Sequence, residues 1–282
     1  MAQSAIGHGL TLSLTILLAA LPFQSADAQI PPPAAETYAD LADLADSASV
    51  VVQVQVRKLV RIEDGQARGL GTGQGRFYVT GKTRALLFGN QAIGESLAWL
   101  VDLPLDARGN PPPEIKKRDL IVFARTVPGR SGELQLIGRS SQILFSDASL
   151  ARLRPILAEM ASPDAPPPVT GLREIIHVPG SLAGGGETQM FLATADGSAA
   201  SITVRHEPGR QPTWGVSFSE LVAEANNGPA RDTLAWYRLA CFLPDRLPPQ
   251  VNLSASAADR QQAIADYRMV LGELGDCPRN RR

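Results

Sequence analysis

Apolar and polar residues alternate most regularly between Val50 and Ile62. Valines occupy positions 50, 52, 54 and 56, whereas glutamine or arginine occupies positions 53, 55 and 57. A period of two with β-branched residues on one face predicts a half-buried strand. Because a buried face must be covered by other elements, we expect this strand to found a small β domain.

Five shorter stretches after this strand carry the same kind of pattern. They are Arg76–Phe88, Ser96–Leu103, Leu120–Phe123, Glu133–Ile137 and Gln142–Phe145. Gly81 indicates a bulge within the first of them. Six short strands in a segment of roughly a hundred residues are typical of a small barrel or a curled sheet.

Apolar residues at helical spacing occur both before and after these strands in the sequence. Tyr38–Asp46 predicts a short helix, with Asp40 and Asp43 on a solvated face. This aspartate-rich segment lacks the central glycine and terminal glutamate of a calcium loop, so no calcium site is expected. Ser146 predicts the N-cap of a second helix, and Pro155 predicts a kink or a late start in it.

Three apolar motifs carry a resemblance to an OB-like barrel of the netrin or metalloprotease-inhibitor type. They are Ala45–Val52, Ala85–Gly89 and Asp119–Phe123, and the resemblance covers residues 38–146. It implies a barrel that offers a binding face. The inhibitor families carry cysteines in this region and this chain has none there, so inhibition is not implied. The whole chain also resembles uncharacterised exported proteins of alphaproteobacteria, which implies no activity.

The second half of the chain begins with strand patterns and ends with helical ones. Strands are predicted at Leu172–Val178, Thr188–Thr194, Ala200–His206 and Trp214–Phe218, and helices from Ser219 through Asn226, at Arg231–Phe242 and from Ser256 onward. Asp196 and Gly197 form a strong turn signal between two of the strands. The fold class is therefore α+β: an N-terminal small OB-like β-barrel with flanking helices, then a C-terminal α+β domain with an antiparallel sheet and three helices.

Proline-rich segments divide the chain. The predicted organisation is a signal peptide at 1–28, a join at 29–37, the OB-like domain at 38–160, a linker at 161–169, the α+β domain at 170–278 and a basic tail at 279–282. Four prolines make the linker a stiff, extended spacer, which we expect to be exposed. The arginines of the tail are expected to fray into solvent.

The first residues have the features of a secretory signal. Leu10–Leu21 is apolar and uncharged, and Ala26–Ala28 is a small-x-small cleavage site before Gln29. The run is shorter than the roughly 20 residues that cross a bilayer, although an uncleaved anchor helix stays an alternative. We therefore expect a periplasmic or secreted protein with no membrane span after signal removal.

Charge and cysteine content narrow the possible partners. The chain has 27 basic and 28 acidic residues, without the basic excess typical of nucleic-acid binders, so no nucleic-acid partner is expected. Its two cysteines, Cys241 and Cys277, predict a disulfide in an exported protein, with two buried thiols as the alternative. The bond requires an extended Leu243–Ala255 connection, which would bring the C-terminal ends of the last two helices together.

Candidate catalytic residues are few and weak. Beyond the signal peptide the only histidines are His177 and His206, and Ser181 with a histidine and Asp196 would be an arithmetically possible triad. The segment around Ser181 is not a G-x-S-x-G elbow, so a turn residue is the simpler interpretation.

A metal site has the same two histidines as its obvious ligands, with Glu207 or Glu187 as a third. No H-E-x-x-H motif is present and the cysteines are distant in the sequence, so neither a metal nor a cofactor is expected. A partly buried sheet residue is the simpler interpretation of His177.

Two further features remain ambiguous. The glycine-rich loop Gly180–Glu187 is either a lid over a ligand or a mobile connection, and Trp214, Trp236 and Tyr237 either line a groove or pack in the core. The leading hypothesis is an exported two-domain binding or scaffold protein of the cell envelope, whose partner is an unidentified envelope protein or small ligand. The alternative is a hydrolase-like enzyme using His177 or His206, and a small-ligand sensor is a third class. The oligomeric state is not predicted.

Overall fold

The strand predicted from the valine alternation is β1, Val50–Arg61. The computed structural model describes Met1 and residues 35–139, 141–219 and 228–281. The predicted signal peptide beyond Met1, most of the proline-rich join, the helix predicted after Ser219 and the last arginine lie outside the described residues.

β1 and four later strands form a closed barrel. The strands after β1 are β2 (Gln74–Phe88), β3 (Ser96–Pro104), β4 (Asp119–Val127), β5 (Arg130–Leu136) and β6 (Gln142–Leu144). The order is β1–β2–β3–β5–β4, and β4 pairs with β1 to close the ring. Only β3 and β5 pair in parallel, and β6 extends the β5 side of β4. The arrangement confirms a small barrel and is compatible with an OB-like one.

The two faces of β1 serve two different cores. Val50, Val52, Val54 and Val56 fill the barrel interior, whereas Val51 packs outward against the helices. The pairing of β1 with β2 shifts register opposite Gly81, as expected of a bulge there. A Cβ at this glycine would lie 2.3 Å from Val54 Cγ1, so the strands approach too closely for any side chain.

Two helices cover the outward face of the barrel. α1 spans Tyr38–Ser47 and α2 spans Asp147–Met160, with Ser146 as the N-cap of α2. Pro155 lies inside α2 and the helix begins eight residues earlier, so a late start is the wrong alternative. No described helix combines the length and hydropathy that a bilayer crossing requires.

The second half of the chain is a four-stranded antiparallel sheet with helices against it. The strands are β7 (Val169–Pro179), β8 (Gly186–Thr194), β9 (Ser201–His206) and β10 (Thr213–Ser217), in the order β10–β9–β8–β7. α3 spans Leu234–Ala240, and α4 spans Ala257–Leu274 with Ser256 and Asp259 in a capping box. The predicted disulfide joins Cys241 to Cys277 with 5.3 Å between their Cα atoms, so the C-terminal ends of α3 and α4 meet.

One cluster of buried apolar residues runs through both halves. It includes residues of α1, α2, the outward face of the barrel, all four strands of the second sheet, α3 and α4. The proline-rich segment 161–168 contains no helix or strand, and the carbonyl groups of Pro166 and Pro168 accept hydrogen bonds from Arg238 and Ala195. The division into two domains at this segment stays a prediction that limited proteolysis tests.

The aspartates of α1 are bound by the second half of the chain. Asp40 is buried and accepts hydrogen bonds from the backbone of Asn280 and Arg281, while Asp43 pairs with Arg279. Burial opposes ionisation of Asp40, but the hydrogen bonds from Thr37 and the tail hold its pKa below its usual value. The prediction of a solvated face is therefore wrong for Asp40.

The prediction of a fraying tail is also wrong for Arg279 and Arg281. Two backbone amides of the tail and the Arg279 guanidinium are held by carboxylates of α1, and Arg281 also donates to Glu36 and to the carbonyl of Gln142. Sequence patterns do not indicate which backbone amides donate hydrogen bonds, so they could not predict these contacts of the tail. The tail therefore stays against α1 and the barrel.

Candidate functional site

Both histidines of the described chain converge on one carboxylate. His177 lies on β7 and His206 on β9, and Thr188 on β8 stands between them. His206 Nε2 donates to Asp266 Oδ1 at 2.9 Å, and the Thr188 hydroxyl donates to Asp266 Oδ2. His177 Nδ1 lies 2.8 Å from Thr188 Oγ1. Because that hydroxyl hydrogen is already committed to Asp266, His177 must be the donor.

We call these four residues and Gln262 the histidine cluster. Gln262 Nε2 donates to Asp266 Oδ1 at 2.9 Å, so both carboxylate oxygens are occupied. Asp266 is 2% exposed and Thr188 fully buried. Burial lowers the pKa of His177, and the nearby Asp266 charge opposes that shift only in part. The cluster therefore contains a neutral His177 and a carboxylate whose hydrogen-bonding capacity serves to tie α4 to the sheet.

The other sequence candidates lie apart from this cluster. No hydrogen bond among the described residues joins Ser181 to either histidine, and Asp196 accepts its bonds from Ser198 in the β8–β9 turn. Glu187 pairs with Arg205 and Glu207 with Arg210. Within the described ranges, no three histidine, cysteine, aspartate or glutamate side chains are arranged to hold a metal ion.

The glycine-rich loop and the aromatic candidates also have structural partners. The Gly180 amide donates to the Gly185 carbonyl, which closes the loop on itself. A Cβ at Gly186 would lie 2.9 Å from His177 Cε1, so this glycine leaves room for the ring. Trp214, Trp236 and Tyr237 are buried and belong to the apolar core.

An open groove lies where β3 and β5 separate. These two strands pair through only two residue pairs, Ala98 with Glu133 and Trp99 with Leu134. Beyond Trp99 the strands diverge and enclose a groove of about 770 Å³. We call it the β3 groove. Its walls come from β2, β3, β5 and the segment that follows β5, which ends at Arg139.

An exposed apolar row runs across the barrel surface to this groove. Val60, Tyr78 and Leu100 are cross-strand neighbours on β1, β2 and β3. Their exposed fractions are 39%, 40% and 51%. Tyr78 and Leu100 line the groove itself. Large apolar side chains left in water side by side on a sheet are a feature of binding faces rather than of a fold's own core.

Charged groups at the groove are mostly paired, but their sum is positive. Arg76 binds Asp102 through two hydrogen bonds of 2.7 and 2.9 Å, which hold the pKa of Asp102 below its usual value. Arg130 pairs with Glu133 at 3.0 Å. Arg139 donates to the Gly69 carbonyl and takes part in none of the ion pairs among the described residues. Among the described residues Arg139 is therefore the one groove cation outside an ion pair, although its charge helps to lower the pKa of Asp102.

A second groove of about 290 Å³ continues along the same strand. It follows β3 from Asp102 to Pro104 and is walled on the other side by β6. Asp102 and Arg139 line both grooves, so the two are contiguous at these residues. An occupant that filled both would lie along the length of β3.

Sequence reasoning identified the histidines but missed the groove. The available signal was Leu100, a large apolar residue on the face of β3 that also carries Ser96 and Asp102. Asp266 was equally hidden, because it lies 60 residues after His206. No family model matches this chain, and no curated protein matches it. The assignment of a site therefore rests on the geometry.

Proposed function

We propose that this chain is an exported binding protein of the cell envelope that holds its partner in the β3 groove. One observation carries the proposal: an open groove lined by the exposed Tyr78 and Leu100 at the point where the barrel strands separate. In OB-folds this is also a region where ligands lie, since the face of the second and third strands binds oligonucleotides and oligosaccharides. That fold-level likeness raises the expectation without identifying the ligand.

Export is the second part of the proposal. The apolar run at Leu10–Leu21 and the cleavage site before Gln29 predict a secretory signal, and the Cys241–Cys277 disulfide fits an oxidising compartment. A periplasmic or secreted location, as in the alphaproteobacterial exported proteins that the sequence resembles, follows from these features. Mature protein from the cell envelope should begin at or near Gln29, and an intact Met1 would refute the cleavage.

Site-specific crosslinking tests the groove. A photoreactive amino acid at Leu100 should give discrete adducts in envelope preparations, whereas the same group at Val178 should not. Val178 is a matched control because it is an even more exposed apolar residue, on β7. Mass spectrometry of the adduct then identifies the partner as a polypeptide or a saccharide. Equal labelling at both positions, or none at Leu100, would contradict the proposal.

A hydrolase-like enzyme of the second sheet is the rival proposal. The contact between His206 and Asp266 supports it, because imidazole–carboxylate pairs activate nucleophiles. Against it stand the burial of Asp266 and the full use of its oxygens. His206→Gln should abolish turnover in a broad ester and amide screen if the rival is right. We expect the parent protein to show no turnover in this screen, so that the substitution changes nothing.

A further inference from the structure

The backbone of β3 has one side paired and one side open. On the paired side, the Leu105 amide donates to Gly73 at 2.9 Å and the Glu95 carbonyl accepts from Thr83. Backbone groups of successive residues in a strand point to opposite sides, and the pairing of β2 with β3 runs without a register shift. Odd-numbered residues of β3 therefore face β2, and even-numbered residues face the other way.

Pro104 supports this assignment. It has no amide hydrogen, yet it lies within β3 and pairs with Gln74. A proline fits a strand only where its missing donor would point away from the neighbouring strand. Its even number places it on that side, so the ladder to β2 loses no hydrogen bond.

On the other side, no strand pairs with β3 among the described residues beyond the last pair with β5. The parallel pairing ends at Trp99 with Leu134, a pattern that uses the amide of Leu100 but not its carbonyl. The Leu100 carbonyl and the amide and carbonyl of Asp102 then face the two contiguous grooves. We call this segment, Leu100–Pro104 on the side away from β2, the β3 edge.

We infer that the β3 edge binds an extended polypeptide segment as an added strand, with an acidic group of that segment at Arg139. This inference rests on the proposed function and names the class of its ligand. Strand addition satisfies backbone groups that the barrel leaves open and places alternate side chains of the ligand over Tyr78 and Leu100. Arg139 lines both grooves beside the edge, forms no ion pair among the described residues and leaves the groove with a net positive charge, which favours an acidic ligand. A saccharide would pack on the apolar row but would not form a regular series of hydrogen bonds with the β3 backbone.

Peptide selection is the first arm of the test. A display library of random peptides of about twelve residues, long enough for one strand, is selected on oxidised protein of residues 29–282, and a glycan array is probed in parallel. We expect peptides with an acidic residue to be enriched. Binding of glycans alone, lost in Tyr78→Ala, would overturn the inference and leave the proposed function standing. Binding of neither class would overturn both.

Backbone methylation is the second arm. Each amide of a selected peptide is N-methylated in turn, and affinity is measured by calorimetry. Strand addition predicts losses of about tenfold or more that recur at alternate positions, because every second amide faces β3. Losses without this period of two, or none, would overturn the inference.

Paired variants of the protein complete the design. Asp102→Ala removes the side chain, whereas Asp102→Pro removes the side chain and the amide donor. The proline variant should bind about tenfold more weakly than the alanine variant. Arg139→Gln should weaken acidic peptides and reduce the salt dependence of binding. Circular dichroism checks the fold of each variant, and should Asp102→Pro not fold, the methylation series decides alone.

Discussion

The histidine cluster and the β3 groove differ in whether their polar and apolar groups have partners inside the fold. The cluster brings the candidate catalytic histidines together, buries the Asp266 carboxylate and fills both of its oxygens with donors. The groove leaves Tyr78 and Leu100 partly in water, and within the described residues the β3 edge has no partner strand. A polar group whose partners are all inside the fold stabilises it, whereas open backbone and exposed apolar surface call for a partner outside.

Because of this difference, we expect substitutions in the two regions to have different effects. Substitutions in the cluster should cost folding free energy, because they leave buried donors without acceptors. Substitutions in the groove should cost binding and little stability, since the side chains involved are already solvated.

Replacing Asp266 should cause the largest loss. Asp266→Ala leaves the donors of His206, Thr188 and Gln262 unsatisfied within the core, and we expect the free energy of unfolding to fall by about 3–5 kcal/mol. Urea denaturation measures it. Asp259→Ala on the same helix is the matched control, because Asp259 is a half-buried capping residue outside these hydrogen bonds and worth about 1 kcal/mol. Equal costs for the two variants would show that the cluster is not structural.

Opening the disulfide should cost somewhat less. Cys241 and Cys277 are 36 residues apart and close a loop that contains α4. Removing such a cross-link typically lowers stability by about 2–4 kcal/mol. The Cys241→Ser/Cys277→Ser variant should therefore melt at a lower temperature than the oxidised protein. Two titratable thiols in denatured, unreduced protein from the periplasm would contradict the bond.

As the pH falls, the interactions of the histidine cluster should weaken before those of the groove. Because the folded-state pKa of His177 lies below its usual value of 6.5, the unfolded chain binds more protons as the pH falls below that value. The stability contributed by neutral His177 is complete above pH 6.5 and is lost as the pH falls toward the folded-state pKa. The titratable groups that face the ring are Asp266, His206 and Asp259.

The groove carboxylate responds in a lower pH range. Asp102 has its pKa below 3.8, so its ion pair with Arg76 persists until the solution is more acidic than that value. Between about pH 5 and pH 6.5 His177→Gln should flatten the stability profile, and Asp102→Asn should leave it unchanged. Denaturation midpoints across this range measure both. An identical slope for His177→Gln and the parent protein would assign the acid sensitivity to other groups.

Changing the apolar row should have the smallest effect on stability. Leu100→Asp alters an exposed cross-strand contact with Tyr78, so we expect about 1 kcal/mol or less. Val178→Asp, on the exposed surface of β7, provides the control. A loss of several kcal/mol for Leu100→Asp alone would mean that the row is part of the core rather than a binding face.

Alternation and capping signals predicted most of the elements. The valines of β1, the Asp196–Gly197 turn and the Ser256 cap are local patterns, and each corresponds to an element of the structure. The meeting of Cys241 with Cys277 was predictable because the proline-rich connection had enough length to return along α4.

Long-range contacts of polar groups were not predictable in this way. Asp266 binds residues of two different strands, and Asp40 binds backbone amides 240 and 241 residues away, so neither set of contacts leaves a mark in any local window. The groove arises from the divergence of β3 and β5. This is a property of barrel geometry, and its only trace in the sequence is a large apolar residue, Leu100, on the face shared with Ser96 and Asp102.

The most direct test compares two variants against the ligand recovered by crosslinking at Leu100. Affinity is measured by calorimetry and stability by urea denaturation for Leu100→Asp and His206→Gln. The account predicts that Leu100→Asp binds about tenfold more weakly with its unfolding free energy nearly unchanged, whereas His206→Gln loses about 1–3 kcal/mol of stability and keeps its affinity. Loss of affinity in His206→Gln together with normal binding by Leu100→Asp would contradict the account and move the site to the second sheet.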